Sequence, residues 1–168
     1  GIIGAGRVLG RDGPMAGDFF TKVIHVNLIG TFLCDKAAAS LMQHNAPNED
    51  GERGLLIHTS SVAAFEGQIG QIAYGSAKSA LIGMTLIAAR DLSSIGVRVN
   101  AIAPGVMDTI AWEQAPAEMK AALEATVPFP KRLGAPEEFA KLAEHLLSNR
   151  YMNGHVARLD GALRFGPK

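Results

Sequence analysis

Tyr74 and Lys78 stand four positions apart in a stretch, from about Ile72 to Ser93, that reads as a helix, so both side chains leave one face about a turn apart. A neighbouring ammonium favours a phenolate and is expected to lower the tyrosine's pKa from about 10, which suits a general acid or base acting on an alcohol or carbonyl oxygen. By itself the Tyr-x-x-x-Lys spacing is also that of many amphipathic surface helices. Ser61 lies 13 residues before Tyr74, at the end of Thr59-Ser60-Ser61. A strand end, a loop and a first helical turn span that gap, and its hydroxyl is then placed to bond the same substrate oxygen. The plainer role for such a serine is to cap a turn.

Asn27 is a polar residue in an otherwise apolar helical stretch, where a buried amide is costly unless it is hydrogen-bonded. It is either a structural amide or the anchor of a proton-relaying water; periodicity leaves both open. Pro104-Gly105 closes a strand, and Thr109 follows five residues after the proline. A tight turn there lets backbone approach a flat ligand, and a threonine hydroxyl can fix an amide on it; a simple strand-to-loop turn has the same composition. Gly1, Gly4 and Gly6 spell G-x-x-G-x-G, but no strand precedes them and Arg11, Gly13 and Pro14 follow where a helix is required, so this reads as a connection rather than a phosphate loop. The five histidines never take ligand spacing, so no metal is expected, and Ser61 lacks a G-x-S-x-G elbow.

These residues need elements to hold them. Gly1 to Gly17 reads as loop, and apolar residues from Phe19 to Leu41 then recur at helical spacing, predicting one helix from an Asp18 N-cap to about His44. Asn45 to Gly54 is turn-rich. Leu55 to Ile57 predicts a buried parallel strand, Gly96 stops the second helix, and Val97 to Ile102 predicts another strand. Pro116 to Ala125 reads as a short helix. Pro136 opens another, with Glu137 and Glu138 where the helix dipole favours acids, and His155 to Asp160 is a last strand. The rhythm is that of an α/β fold.

Composition narrows the classes. The 168 residues are 48% apolar, with 16 basic and 16 acidic side chains that cancel, which suits a folded domain and excludes disordered and collagen-like classes. The balance gives no reason to expect nucleic acid or an acidic membrane surface as a partner. The longest apolar runs, around Leu28 to Leu33 and Ala80 to Ala89, fall short of the roughly 20 residues that cross a bilayer. A lone Cys34 fits a reducing compartment, so the expected location is the cytoplasm.

Together, Asn27 in VNLIGTF, Ser61 in HTSS, Tyr74 and Lys78 in YGSAK, and Pro104 to Thr109 in NAIAPGVMDT resemble the classical short-chain dehydrogenase/reductase family in order and spacing. SSVAAFEGQIGQIAY, VPFPKRLG and RLDGALR resemble its branch of type 2 3-hydroxyacyl-CoA dehydrogenases. The resemblance implies a Rossmann-like doubly wound parallel sheet, of which residues 1–168 are expected to form the C-terminal, catalytic portion, and an NAD(P)-dependent oxidoreductase. The hydride passes between a nicotinamide cofactor, NAD with NADP not excluded, and a secondary alcohol or ketone.

By the same resemblance Tyr74 is the acid/base, Lys78 lowers its pKa and holds the nicotinamide ribose, and Ser61 orients the substrate oxygen, while Asn27 anchors a water. Gly1, Pro104, Gly105, Val106 and Thr109 contact the cofactor, and Gln68 reaches the substrate. An acyl-CoA, a carrier-protein thioester or another hydroxy or keto compound is the implied substrate, chosen by the loop Met107 to Pro116, which departs from the family at Ala111-Trp112-Glu113. A homotetramer is implied, with Gly83-Met84 on its dimer surface, and so, by the resemblance alone, is the mitochondrial matrix as the location in a eukaryote. A truncated, non-catalytic association module is the reading from another class.

Overall fold

A computed structural model describes residues 1–110 and 116–168. Its centre is a three-stranded parallel sheet in the order β3(Gly54–Thr59), β4(Val97–Pro104), β5(Val156–Leu159). Leu56 pairs with Val99, and Ala101 with Val156. β4 is the middle strand and is buried from Val97 through Ala103, the polar Arg98 and Asn100 included. Val97 and Val99 pack with Leu56 and Ala89 of helix α3(Ile72–Asp91), while Arg98 points the other way, towards the last turn of helix α5(Pro136–Ser148). Helices thus cover both faces, the doubly wound arrangement of an α/β fold. Each fully buried valine or isoleucine of β4 contributes about 1.5–3 kcal/mol.

The elements match the expected rhythm, with four corrections. The single helix expected from Asp18 to His44 is three pieces: α1(Gly17–Ile24), a π-helical turn His25–Ile29, and α2(Gly30–Met42). Asp18 is not the N-cap; Ala16 is, without a side-chain cap, and Asp18 sits in the first turn, where its charge suits the helix dipole. The N-terminal stretch holds an antiparallel hairpin, β1(Leu9–Gly10) with β2(Gly13–Pro14), and Gly6 bridges to Gln71. Finally, Ile72–Ile95 is by length and composition long and apolar enough to cross a membrane, because small residues extend its apolar runs. Its Ala73, Ala77, Leu81 and Ala89 are buried in the domain core.

Gly96 ends that segment in the left-handed region at φ 71°, as the stop signal predicts, and a Cβ there would run into the Gly51 carbonyl. The short helix α4(Ala117–Thr126) follows Pro116. The expected substrate loop is described only at its ends, and Ala111-Trp112-Glu113 lies outside the described residues.

Candidate active site

The C-terminal ends of β3 and β4 form one edge of the sheet, where an open α/β fold binds ligands. β3 delivers Thr59-Ser60-Ser61 to that edge. Ser60 is buried and donates to the Lys78 carbonyl at 2.9 Å, which fixes the β3 end to the turn of α3 that carries the lysine. Ser61 caps the 3-10 turn Val62–Ala64 by accepting from the Ala63 amide at 3.1 Å. The capping role is therefore present. The same hydroxyl is near enough to the phenol of Tyr74 to act against the rise of its pKa.

Tyr74 and Lys78 lie on one face of α3, as their spacing predicts. The ammonium sits 5.6 Å from the centroid of the tyrosine ring and donates to the Thr59 carbonyl at 2.7 Å. The electrostatics differ from the expected lowering of the tyrosine by the lysine. Burial raises the Tyr74 pKa above its ordinary value, and the Ser61 hydroxyl acts against that shift. Burial also lowers Lys78. The i, i+4 geometry puts the ammonium over the ring face rather than at the hydroxyl, so desolvation governs both groups. At neutral pH the phenol carries its proton, the form that can donate to a carbonyl oxygen.

The π-helical turn holds Asn27. Such a turn inserts a residue into the helix and is frequent at functional sites. Asn27 is 2% exposed; its amide nitrogen donates to the Val23 carbonyl at 3.0 Å and the Ile2 carbonyl at 2.8 Å. Its Oδ1 is buried without a hydrogen-bond partner among the described residues. Gly1 lies against that oxygen, with no room for a Cβ, and such an atom would also stand 3.8 Å from the Lys78 ammonium. Asn27, Lys78 and Gly1 thus meet at one point, and Ser61 and Tyr74 at the next.

The remaining expected residues lie further out. Pro104 ends β4, and the Gly105 amide donates to Leu159 at 2.9 Å. A Cβ on Gly105 would meet the Asp160 Cα at 3.0 Å, so this turn needs glycine. Val106 and Asp108 are laddered to Gly134, and Lys120 holds Asp108 at 2.8 Å. Thr109 is exposed. Gln68 is bonded locally: its amide N–H donates to the Gln71 side chain at 3.1 Å. Gly4 packs on Val23 and Phe19, and Gly6 donates to Gly70 at 2.7 Å, so these glycines serve packing, as a connection does. Among the described residues no cluster of His, Cys, Asp or Glu has metal-binding geometry.

The residues present fit the nicotinamide end of a dinucleotide. An acceptor without a partner and an ammonium with one of its three donors engaged face a glycine too tight for a side chain. Sequence reasoning missed Ser60, the Thr59 carbonyl and the π-helical turn. The run of three hydroxyl residues in HTSS was the available signal for the first two.

Comparison with known proteins decides the family. The family model described as enoyl-(acyl carrier protein) reductase matches residues 5–163. The chain belongs to the short-chain dehydrogenase/reductase family. It is 48% identical over 148 residues to 3-hydroxyacyl-CoA dehydrogenase type-2 of Drosophila melanogaster, covering 88% of this chain and 58% of that protein. The crystal structure of 3-hydroxyacyl-CoA dehydrogenase type-2 from Mycobacterium avium superposes with a TM-score of 0.96 at 51% identity, over 100% of this chain and 66% of that one. A 3-oxoacyl-[acyl-carrier protein] reductase with bound NAD from Brucella melitensis gives a TM-score of 0.75 at 33% identity, over 90% and 54%. The chain spans somewhat under six-tenths of the length of the curated type-2 relatives it matches.

Proposed function

We propose that these residues form the catalytic part of an oxidoreductase that interconverts a 3-hydroxyacyl-CoA and its 3-oxo form. The single observation that carries the reading is the meeting of Ser61, Tyr74, Lys78 and Asn27 at the ligand-binding edge of the sheet, in a chain about half identical to type-2 3-hydroxyacyl-CoA dehydrogenases. A nicotinamide cofactor, NAD in the favoured reading, supplies or takes up the hydride when bound. Lys78 and Asn27 would hold its ribose and an ordered water, and Pro104, Gly105, Val106 and Thr109 would bind its carboxamide.

Tyr74 moves the proton. In the reducing direction its neutral phenol donates to the carbonyl oxygen, and the Ser61 hydroxyl stabilises the negative charge that develops there. In the oxidising direction the deprotonated Tyr74 oxygen takes the proton from the substrate hydroxyl. Gln68 would contact the acyl chain through its side chain.

A second reading, reduction of a 3-oxoacyl group on a carrier protein, is favoured by two Brucella melitensis 3-oxoacyl-[acyl-carrier protein] reductase neighbours. Self-association belongs to either reading. Phe32 and Met84 line an apolar groove of about 560 Å3 between α2 and α3, next to exposed Leu33, Leu86 and Ile87.

The deciding experiment follows nicotinamide absorbance in the whole protein with a 3-hydroxyacyl-CoA and with the same acyl group on carrier protein. Turnover of the CoA thioester that is lost in Tyr74→Phe supports the reading. Undiminished turnover in that variant overturns the mechanism.

A further inference from the structure

Arg158 stands at the end of β5, outside the residues assigned above. Its guanidinium engages Glu66 bidentately at 2.7 and 3.0 Å, Asp160 at 2.7 Å through Nε, and the Leu163 carbonyl at 3.1 Å. It also lies 4.9 Å from the centroid of the Phe65 ring. Planar, bidentate pairing of this kind fixes direction as well as distance.

The partners belong to two different walls of the site. Glu66 is two positions before Gln68 and five after Ser61, in the loop between β3 and α3. That loop is also tied to the C-terminal segment, since the Ile69 amide donates to Pro167 at 2.9 Å and Arg164 lies 3.4 Å from Glu66. Asp160 belongs to the other wall. Its carboxylate accepts from the Ala162 amide at 3.0 Å and closes a turn in which Gly161 and Ala162 are both left-handed, at φ 57° and 65°. Its backbone packs against Gly105, whose amide bonds to Leu159.

We propose that Arg158 is a positioning residue: it sets the separation between the substrate-side loop, Ser61 to Gln68, and the cofactor-side turn, Pro104 to Val106, by holding Glu66 and Asp160 on one guanidinium. The inference rests on the oxidoreductase reading for its consequence in turnover, but not for the mechanical link itself. Without the guanidinium, only the exposed Arg164, 3.0 Å from Asp160 and 3.4 Å from Glu66, still spans the two carboxylates, and the left-handed turn loses its half-buried brace, so both walls loosen together. Lysine keeps the charge but not the fork.

The test compares the whole protein with its Arg158→Lys, Arg158→Met and Glu66→Gln variants by amide hydrogen exchange and by kinetics. Exchange is expected to rise roughly tenfold in both the 65–69 and the 104–108 segments of Arg158→Met while α3 stays protected. Arg158→Lys and Glu66→Gln give smaller rises in the same two segments, and they carry the test if the methionine variant does not fold. KM for the substrate and Kd for the nicotinamide cofactor rise together, and the pH profile set by Tyr74 does not move. A rise confined to residues 65–69, or a lower melting temperature with unchanged KM and Kd, overturns the proposal. A wild-type protein without nicotinamide-dependent turnover refutes the oxidoreductase reading instead, and the exchange measurement still judges the link.

Discussion

Two buried cations sit at opposite edges of the same sheet, and they are used in opposite ways. Arg98, at the start of β4, and Lys78, beside the end of β3, are 6% and 7% exposed, so burial does not distinguish them. Their partners do. Arg98 spends its terminal nitrogens on Glu52 at 2.9 Å and on the carbonyls of Leu146, Leu147 and Met152 at 2.9 to 3.1 Å. Those carbonyls include the last ones of α5, which a cation also favours through the helix dipole. Lys78 makes one hydrogen bond, to Thr59, and otherwise faces Tyr74 and the unpartnered Asn27 oxygen. Arg98 thus has both terminal nitrogens paired within the chain, with only its Nε left without a partner among the described residues, and closes the fold, whereas Lys78 keeps donors free for a ligand.

The sharpest way to separate the two edges is a substitution that changes chemistry and leaves the fold alone. Tyr74→Phe removes one hydroxyl from a half-buried ring and is expected to cut turnover by about 10²–10⁴-fold, the range for a general acid or base. Its melting temperature should stay within a degree or two of the parent, as measured by circular dichroism alongside initial rates. A variant that is both inactive and strongly destabilised would place Tyr74 with Arg98 as a structural residue. Arg98→Met is the opposite case. It takes their Arg98 donor from the Glu52 carboxylate and the Leu146 and Leu147 carbonyls, while Met152 keeps the Asn100 amide at 2.8 Å, at a cost of about 3–5 kcal/mol. For a chain of this size that lowers the melting temperature by on the order of 10 °C. Unfolding in urea measures it, and a loss below about 1 kcal/mol would remove the contrast.

The two cations also differ in how far they could be read from sequence. Tyr74 and Lys78 were legible because they are four apart on one helix, and local spacing survives without the fold. Arg98 was not, because the acceptors that explain it lie about 50 positions away, on α5 and the turn after it. The sheet strands and the long helices were legible from their apolar pattern. The π-helical turn was not, since an inserted residue hardly disturbs a 3.6-residue period; only the polar Asn27 hinted at it. The sign of the Tyr74 shift was misjudged for a similar reason. Spacing places the lysine on the right face, but it does not say how much water remains around either group.

Ser60 tests the seam between the regions, because it bonds the backbone of Lys78 and not its ammonium. Ser60→Ala should lower stability by about 1 kcal/mol in urea unfolding, with a mild fall in activity. A collapse of turnover would mean that the backbone at residue 78, rather than its side chain, is what the β3 end positions.

The smallest effect is the most direct test of the comparison. Lys78→Met leaves only the Thr59 carbonyl unpaired and removes a desolvated charge, so stability near pH 7 should hold or rise while turnover falls. The sign follows from linkage. Because burial lowers the folded-state pKa of Lys78 below 10.5, the unfolded chain binds more protons in the window under 10.5, and the wild type gains stability as pH rises through it. Tyr74 works the other way. Its raised pKa costs stability only as pH climbs above about 10, and since both proteins keep the tyrosine, that contribution largely cancels in their difference. The stability of Lys78→Met relative to wild type, measured by urea unfolding from pH 7 to 10.5, should therefore be greatest at neutral pH and shrink as the pH rises. A difference that stays flat would show that Lys78 is not a strained charge in the fold, and the distinction from Arg98 would then rest on hydrogen bonds alone.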